Sequence, residues 1–352
     1  MQLTSKIRIF PTPGQQEVLQ HLSEECRLIY NFALAERLKQ WELNNLRFSF
    51  QVFPWSQPEW IKYAKQQNDL PLLKKKYPRY ACVYSKVLQM TLKTLDADYK
   101  SFMALRGNGD RKAHSPGFKG KGHFTTMIYN QSGFRVKDGA VTLSQFYNKN
   151  IPLTFELAKE FSKIYQISVF QDRGDYFISI VYEEPEKPYE DNGVYQAIDL
   201  GITKTVSAIN TKGKFFEAKN PRPDKYWNPI IDALQSRRDH CKKKSRKHNH
   251  IHQSMTKRMR KRSNQIKDNQ HKLSRKMIDN TKANTIIVGD LVVKEMAQST
   301  KATPGLNRST QNNGYLSQFV GFLTYKAALA GKKVIEIDER YTSKTCYVCG
   351  KR

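Results

Sequence analysis

Tyr195-Gln196-Ala197-Ile198-Asp199-Leu200-Gly201-Ile202 is the stretch whose reading decides the fold. Ile198 and Leu200 alternate with one acid, as in a strand with one buried face. Side chains alternate across a strand, so Asp199 projects from the face opposite to Ile198 and Leu200. A second strand is expected at Thr285-Ile286-Ile287-Val288-Gly289-Asp290-Leu291. Taken alone, Asp199 reads equally well as a surface acid before a glycine turn.

The segments around these strands fall into an order. A β-hairpin is expected from Gln196 to Glu217, then a helical stretch from about Asn228 to Ala283. After the Ile286–Leu291 strand come a loop, a helix from about Gly314 to Ala330, and a strand from Lys333 to Asp338. That order is compatible with an α/β core of the ribonuclease H type. The proline-bearing acidic run Glu183-Glu184-Pro185-Glu186-Lys187-Pro188 marks a boundary before it.

Upstream of that boundary the pattern changes. A short strand is expected at Lys6 to Phe10. Thr12-Pro13-Gly14-Gln15 opens a helix, with Thr12 as cap, Pro13 in the first turn and Gln15 reaching back. Val18, Leu22, Cys26, Ile29 and Ala33 continue it at helical spacing. A second helix is expected from about Tyr80 to Leu105, and an irregular connection over Phe50 to Pro78. The glycine-rich stretch from Gly107 to Gly122 reads as a loop. Short strands follow at Phe134–Val136, Ala140–Leu143, Ile164–Phe170 and Tyr176–Tyr182. Lys137-Asp138-Gly139 and Asp172-Arg173-Gly174-Asp175 read as the turns between them. The N-terminal strand and these later strands are expected to form a small β-barrel with the helices inserted.

The 352 residues carry 60 Lys and Arg against 32 Asp and Glu, a formal net charge of +28. Charge of that sign and size, gathered in blocks, points to a polyanion as partner. The densest block holds Arg238, Lys242, Lys243, Lys244, Arg246, Lys247, Lys257, Arg258, Arg260, Lys261 and Arg262 against the single acid Asp239. As a helical pair it would lay a cationic stripe along a nucleic-acid backbone. His248, His250 and His252 lie inside it with no Cys or acid beside them, which argues against a metal site. Cys346-x-x-Cys349 is half of a zinc ribbon, and one knuckle does not complete four ligands. No apolar run is long enough to span a bilayer, and five scattered cysteines suggest no disulfide framework. A bacterial cytoplasmic, nucleoid-associated location is expected.

Together the segments resemble the TnpB family of transposon-encoded RNA-guided nucleases. The resemblance rests on Arg8-Ile9-Phe10-Pro11-Thr12-Pro13, Arg27-Leu28-Ile29-Tyr30-Asn31, Leu88-Gln89, Tyr99-Lys100-Ser101-Phe102 and Pro116-Gly117-Phe118-Lys119. It continues through Ile198-Asp199-Leu200-Gly201-Ile202, similar to the first RuvC motif, and His271-Lys272-Leu273-Ser274. It ends at Thr342-Ser343-Lys344-Thr345-Cys346-x-x-Cys349-Gly350, similar to the start of the zinc ribbon. In the family a catalytic Glu stands at the position of Gly289, and a last Asp follows a second Cys pair. The pattern therefore resembles the nuclease-dead TnpB-like repressors (TldR).

The resemblance implies an α/β multidomain chain. Residues 1–12 and 115–185 would form the β-barrel (wedge-like) domain and 13–114 the inserted helical recognition domain. Residues 186–194 would be a linker, 195–341 a degenerate RuvC-like domain, and 342–352 a remnant of the zinc-ribbon start. Residues reading a short motif beside the target would fall at Ser85, Lys86, Gln89 and Thr126; Gln pairs with adenine and a Thr methyl meets a thymine methyl. The partners implied are a noncoding guide RNA and double-stranded promoter DNA, with no membrane. No tightly bound cofactor is expected, neither magnesium at a catalytic site nor zinc at Cys346 and Cys349. The reading is a repressor that occupies DNA without cutting, catalytically inactive, with Asp199 vestigial. Two rivals stay open. One is an active endonuclease with a relocated acid at Asp290, Glu295 or Asp338. The other is a guide-independent nucleic-acid-binding protein.

Overall fold

The computed structural model describes residues 1–49, 60–290, 316–338 and 349. The expectations for Glu295 and Cys346 lie outside the described residues. The chain divides into two compact units, Met1–Glu184 and Pro185–Arg352.

In the first unit, β1 (Gln2–Ile9) pairs antiparallel with β7 (Asp175–Glu183), in register from Gln2↔Glu183 to Ile9↔Tyr176. β6 (Lys163–Asp172) and β2 (Met127–Asn130) extend the sheet in the order β1-β7-β6-β2. A second sheet holds β3 (Phe134–Lys137), β4 (Ala140–Leu143) and β5 (Leu153–Glu156). Among the described residues no strand pairing joins the two sheets, so the expected barrel is seen as two antiparallel sheets sharing one core. β2 and β5 escape the sequence pattern because neither adjoins a marked two-residue turn, whereas the equally short β3 and β4 flank Asp138-Gly139. The two turn motifs are explained by their backbone: Asp138-Gly139 and Arg173-Gly174 have φ of 51° and 71°, and 55° and 87°. Two consecutive positive φ values make the turn type that matches strand twist, hence glycine at the second position.

The helices of this unit begin with α1 (Pro13–Ser49). Its start is a reciprocal cap: Gln15 N donates to Thr12 Oγ1 at 3.3 Å and Thr12 N donates to Gln15 Oε1 at 3.0 Å. Val18, Leu22, Cys26, Ile29 and Ala33 are all buried, as the periodicity requires. α4 (Ser85–Gly107) packs on α1 through Val87, Leu88, Leu92 and Leu95. It starts later than the sequence suggests, because Pro78–Cys82 forms a turn of 3-10 helix first. Part of the connection read as irregular is helical: α2 (Tyr63–Asn68) and α3 (Leu70–Lys76). α2 is held by a buried amide rather than an apolar stripe. Gln66 donates to Ala33 O and Glu36 Oε2 and accepts from Arg37 Nε at 3.0 Å. Periodicity does not reveal that kind of anchorage.

The second unit is built on a five-stranded sheet in the order β10-β9-β8-β11-β12. β8 (Tyr195–Leu200), β9 (Lys204–Asn210) and β10 (Phe215–Lys219) form an antiparallel meander. β11 (Thr285–Gly289) runs parallel to β8 and to β12 (Lys333–Ile337). This mixed sheet, antiparallel on one side of β8 and parallel on the other, matches the ribonuclease-H-type expectation. The expected helical stretch is the pair α5 (Pro223–Asp239) and α6 (Arg246–Asn280), broken at residues 240–245. α6 restarts at Ser245, whose side chain accepts from His248 N at 3.2 Å. α7 (Leu316–Leu329) packs on α6. Ile198, Leu200, Val206, Ala208, Ile286 and Val288 of the sheet meet Met277, Ile278, Phe319 and Leu323 of these helices. No helix among the described residues is long and apolar enough to cross a membrane.

The α6–α7 contact buries a lysine. Lys326 is 4% exposed, and its ammonium donates to His271 O at 2.6 Å and Ser274 Oγ at 2.7 Å. Burial, with Arg275 nearby, lowers its pKa from 10.5 to about 8; Asp279 opposes the shift. Below about pH 8 both folded and unfolded chains carry the proton, and the folded one bears the cost of a buried charge. Between about pH 8 and 10.5 the folded state has released a proton that the unfolded state still binds, so this residue's contribution to stability rises with pH. Denaturant unfolding of wild type and Lys326→Met across that range should give a difference that narrows as pH rises if methionine fills the site. A pH-independent difference would contradict the assignment.

Candidate nucleic-acid interface and the Asp199 face

The basic block folds as an antiparallel helical hairpin. Near one end Trp227 Nε1 donates to Gln265 Oε1 at 2.7 Å, and Arg262 Nη1 donates to Asn228 Oδ1. At the other, Arg238 reaches Met255 Sδ at 3.9 Å while pairing with Asp239. Ile251, Met255, Ile266, Gln270, Ser274 and Met277 form the buried stripe of α6. The cations are therefore pressed to its other faces.

Among the described residues, Lys242, Lys243, Lys244, Arg246, Lys247, Lys257 and Lys261 are exposed and make no ion pair. Arg258 is half-buried and donates to Ser254 O at 3.2 Å; Arg260 and Arg262 are also half-buried. The sequence block thus separates into an outer set of unneutralised charges and an inner set tied into the hairpin. Unneutralised cations on a rigid helix are what a phosphate backbone exchanges for its counterions. His248 and His252 stack with ring centroids 6.4 Å apart, whereas His250 lines an open hollow with Arg246, Lys247, Asn249 and Gln253. The three histidines do not converge.

Asp199 is on the face that the sequence implies. Ile198 and Leu200 are buried, and Asp199 between them is exposed. It has no hydrogen bond or ion pair among the described residues. Gly289 lies one step beyond the last β8–β11 pair, Val288↔Ile198, and so stands in register beside Asp199. On the other side Asp199 pairs with Ser207, and Gly289 pairs with Ile337. These residues line a hollow of about 320 Å3 with Ala197, Ile209, Phe215 and Ile287. Asp290 is exposed and its N–H donates to Ile337 O at 2.8 Å, which extends the β11–β12 ladder beyond Gly289. It follows Gly289 by one residue, the spacing that turns a strand side chain to the opposite face.

A two-ion phosphodiester centre needs several oxygen ligands close together. The described lining of the hollow supplies one carboxylate, Asp199, among mostly apolar neighbours. Among the described residues no group of three or more His, Cys, Asp or Glu could hold a metal ion. The described residues therefore do not complete a divalent-ion cage, and no chemical step is derived through one. Cys349 is exposed.

The four residues implied to read DNA gather around α4 and β2, which pack together. Ser85 and Lys86 are exposed at the start of α4, and Gln89 is half-buried one turn on. Ser85 Oγ accepts from Lys74 Nζ at 2.7 Å, which occupies it in part. Thr126 is exposed just before β2, while Thr125 N donates to Ser23 Oγ at 2.6 Å and fixes the backbone there. Lys74 escaped the sequence reading because its contact with Ser85 spans two elements.

Three family models match this chain. Residues 179–300 match the OrfB_IS605 family, described as "Probable transposase"; residues 317–352 match the Cas12f1-like TNB domain. Residues 1–45 match a helix-turn-helix domain model, although the structure there is β1 followed by α1. Two relatives carry the name "Putative RNA-guided DNA endonuclease". One, from Streptomyces pristinaespiralis, is 26% identical over 355 residues, covering 98% of this chain and 80% of the relative. The other, InsQ of Escherichia coli K12, is 25% identical over 357 residues, covering 96% and 81%. Among solved structures, Cas12f1 in complex with sgRNA and target DNA aligns with a TM-score of 0.51 at 14% identity. It covers 96% of this chain and 76% of Cas12f1, and shares the fold.

These matches correct one expectation. The sequence reading made the chain no enzyme, yet relatives spanning nearly all of it are named as endonucleases. Two positions, Gly289 and an acid expected after a second Cys pair, do not decide the activity of a whole chain.

Proposed function

We propose that this TnpB/IS605-transposase-like chain, a homologue of Cas12f1-like RNA-guided endonucleases, is itself an RNA-guided DNA endonuclease. The guide RNA and target DNA are held through the α5–α6 hairpin and related basic surfaces, and a short motif beside the target is read at α4 and β2. Asp199 is the β8 carboxylate of the cutting centre. The observation that carries the reading is the set of seven exposed cations on and before α6 that meet no acid among the described residues. A phosphate backbone supplies the charge they lack, and a guide paired with its target supplies the sequence specificity. Incubating the RNA-loaded protein with matched and scrambled DNA in magnesium tests it. Cutting confined to the matched DNA supports the reading, and no cutting of either opposes it.

A second reading concerns the effect on promoters. A guided complex seated on promoter DNA blocks RNA polymerase by occupancy, which requires binding alone. Gly289 in register beside Asp199 favours giving this consequence weight. A reporter driven by a matched promoter should fall in expression with the RNA present and recover when the guide is scrambled.

Motif reading gives a separate expectation. Gln89, if bidentate to an adenine, contributes about 1–3 kcal/mol of discrimination. Gln89→Ala should therefore relax preference at one motif position by about 5- to 150-fold, measured by selection from a randomised flanking library. Ser85→Ala should do less, since its hydroxyl already accepts from Lys74. An unchanged motif in Gln89→Ala would remove Gln89 from the reading surface.

A further inference from the structure

The first unit contains a cavity of about 490 Å3 that the guide-and-target reading does not use. Its volume lies within the range of small-ligand sites. α1 contributes Arg37, Leu38 and Trp41; α4 contributes Asp96, Tyr99, Phe102 and Met103; Trp60 and Lys62 close it before α2. Two indoles face it, and both are about half exposed, Trp41 at 52% and Trp60 at 53%. The floor is fixed. Arg37 donates to Gln66 Oε1 at 3.0 Å and Asp96 Oδ1 at 3.2 Å, and its guanidinium carbon lies 5.3 Å from the centroid of the Tyr99 ring.

The surroundings are cationic. Lys62 of the lining is exposed, as is Lys65 three residues on, and Arg106 follows Met103 by three residues on α4. Arg106 donates to Arg111 O at 3.0 Å, which brings the loop ahead of Ser115 to this end of α4. Asp96, the one acid of the lining among the described residues, is already shared between Arg37 and Lys100. Exposed aromatic faces within a basic rim match the chemistry of an unpaired nucleotide: the base stacks and the phosphate meets the cations. An apolar protein segment would use the rings and leave those cations unmatched.

We infer that this cavity binds one unpaired nucleobase of a single-stranded nucleic acid, stacked on Trp60 and Trp41, with its phosphate at Lys62. The inference rests on the nucleic-acid reading above and adds a subsite to it. Guide RNA and displaced DNA strand share the chemistry, and the test separates them.

The test is an abasic scan. Short single-stranded RNA and DNA oligonucleotides, each lacking one base in turn, are titrated against the full chain. In wild type, removal of the base at one position should weaken binding at least about fivefold, the lower end of base–aromatic stacking. In Trp60→Ala that position should lose much of its sensitivity, in the Trp41→Ala/Trp60→Ala double variant it should become silent because both partner rings are gone, and Trp60→Phe should restore most of the effect. The RNA and DNA series show which strand supplies the base. A flat scan in wild type overturns the inference, as does an equally sensitive position in Trp60→Ala. The flat scan does not depend on how the variants fold. If wild type binds no oligonucleotide at all, the broader reading fails with it; if it binds with a flat scan, only the subsite fails.

Discussion

Replacing Lys242, Lys243, Lys247, Lys257 and Lys261 together by alanine should lower affinity for single-stranded guide-length RNA on the order of a hundredfold at moderate salt. The logarithmic salt dependence should flatten by about 3 to 4 units, from roughly 0.7 counterions released per neutralised phosphate on a single strand. The fold should survive. All five side chains are exposed and without ion pairs among the described residues. Three of the five lie within α6, where alanine is at least as good a helix former as lysine. Five substitutions of exposed lysines elsewhere, such as Lys39, Lys137, Lys149, Lys212 and Lys214, give the control at equal net charge. If affinity and salt slope fall equally in both variants, the hairpin is no special surface and the chain holds nucleic acid through diffuse charge alone.

Asp199→Ala should reduce cutting of matched DNA by at least about a hundredfold, as expected for losing a carboxylate of a phosphodiester centre. Binding should stay within about twofold. The prediction separates function from fold because the Asp199 side chain is exposed and has no hydrogen-bond or ion-pair partner among the described residues, so its removal breaks no such contact there. Single-turnover cleavage and filter binding on the same preparation measure both. Undiminished cutting by Asp199→Ala would place the centre elsewhere. Promoter repression by the same variant should remain, since occupancy does not need the carboxylate.

Much of this architecture is legible from the chain because the informative residues are local. Ile198, Asp199 and Leu200 alternate, and that alternation alone assigns their faces. Thr12 and Gln15 are three residues apart, and their reciprocal cap fixes the start of α1. Asp138-Gly139 and Arg173-Gly174 announce their turns by the need for positive φ. What escaped depends on contacts distant in sequence. β2 is a strand because β6 pairs with it, with Met127 opposite Val169. α2 is placed by Gln66 bonding to α1. A helical pair is expected in the basic block, but the place of its break, at residues 240–245, shows only in the antiparallel docking of α5 and α6.

The candidate site was legible in kind more than in detail. The sequence marks the basic block; only the structure divides the exposed Lys257 and Lys261 from the half-buried Arg258 and Arg262. It marks Asp199 and Gly289 separately, and only strand register sets them side by side. The Trp41–Trp60 cavity could not be found from the sequence. Its residues come from α1, α4 and the segment before α2, and no spacing rule links them.

The account depends on RNA directing which DNA is bound. The most direct test is to purify the chain from its host, sequence the RNA that accompanies it, and measure binding to DNA complementary to that RNA. The account predicts one RNA species with a defined guide end. Matched DNA should bind at least about a hundredfold tighter than scrambled DNA, and ribonuclease treatment should remove the difference, since in RNA-guided recognition base pairing with the guide reads the sequence. Heterogeneous RNA, together with equal affinity for matched and scrambled DNA before and after ribonuclease, would contradict it.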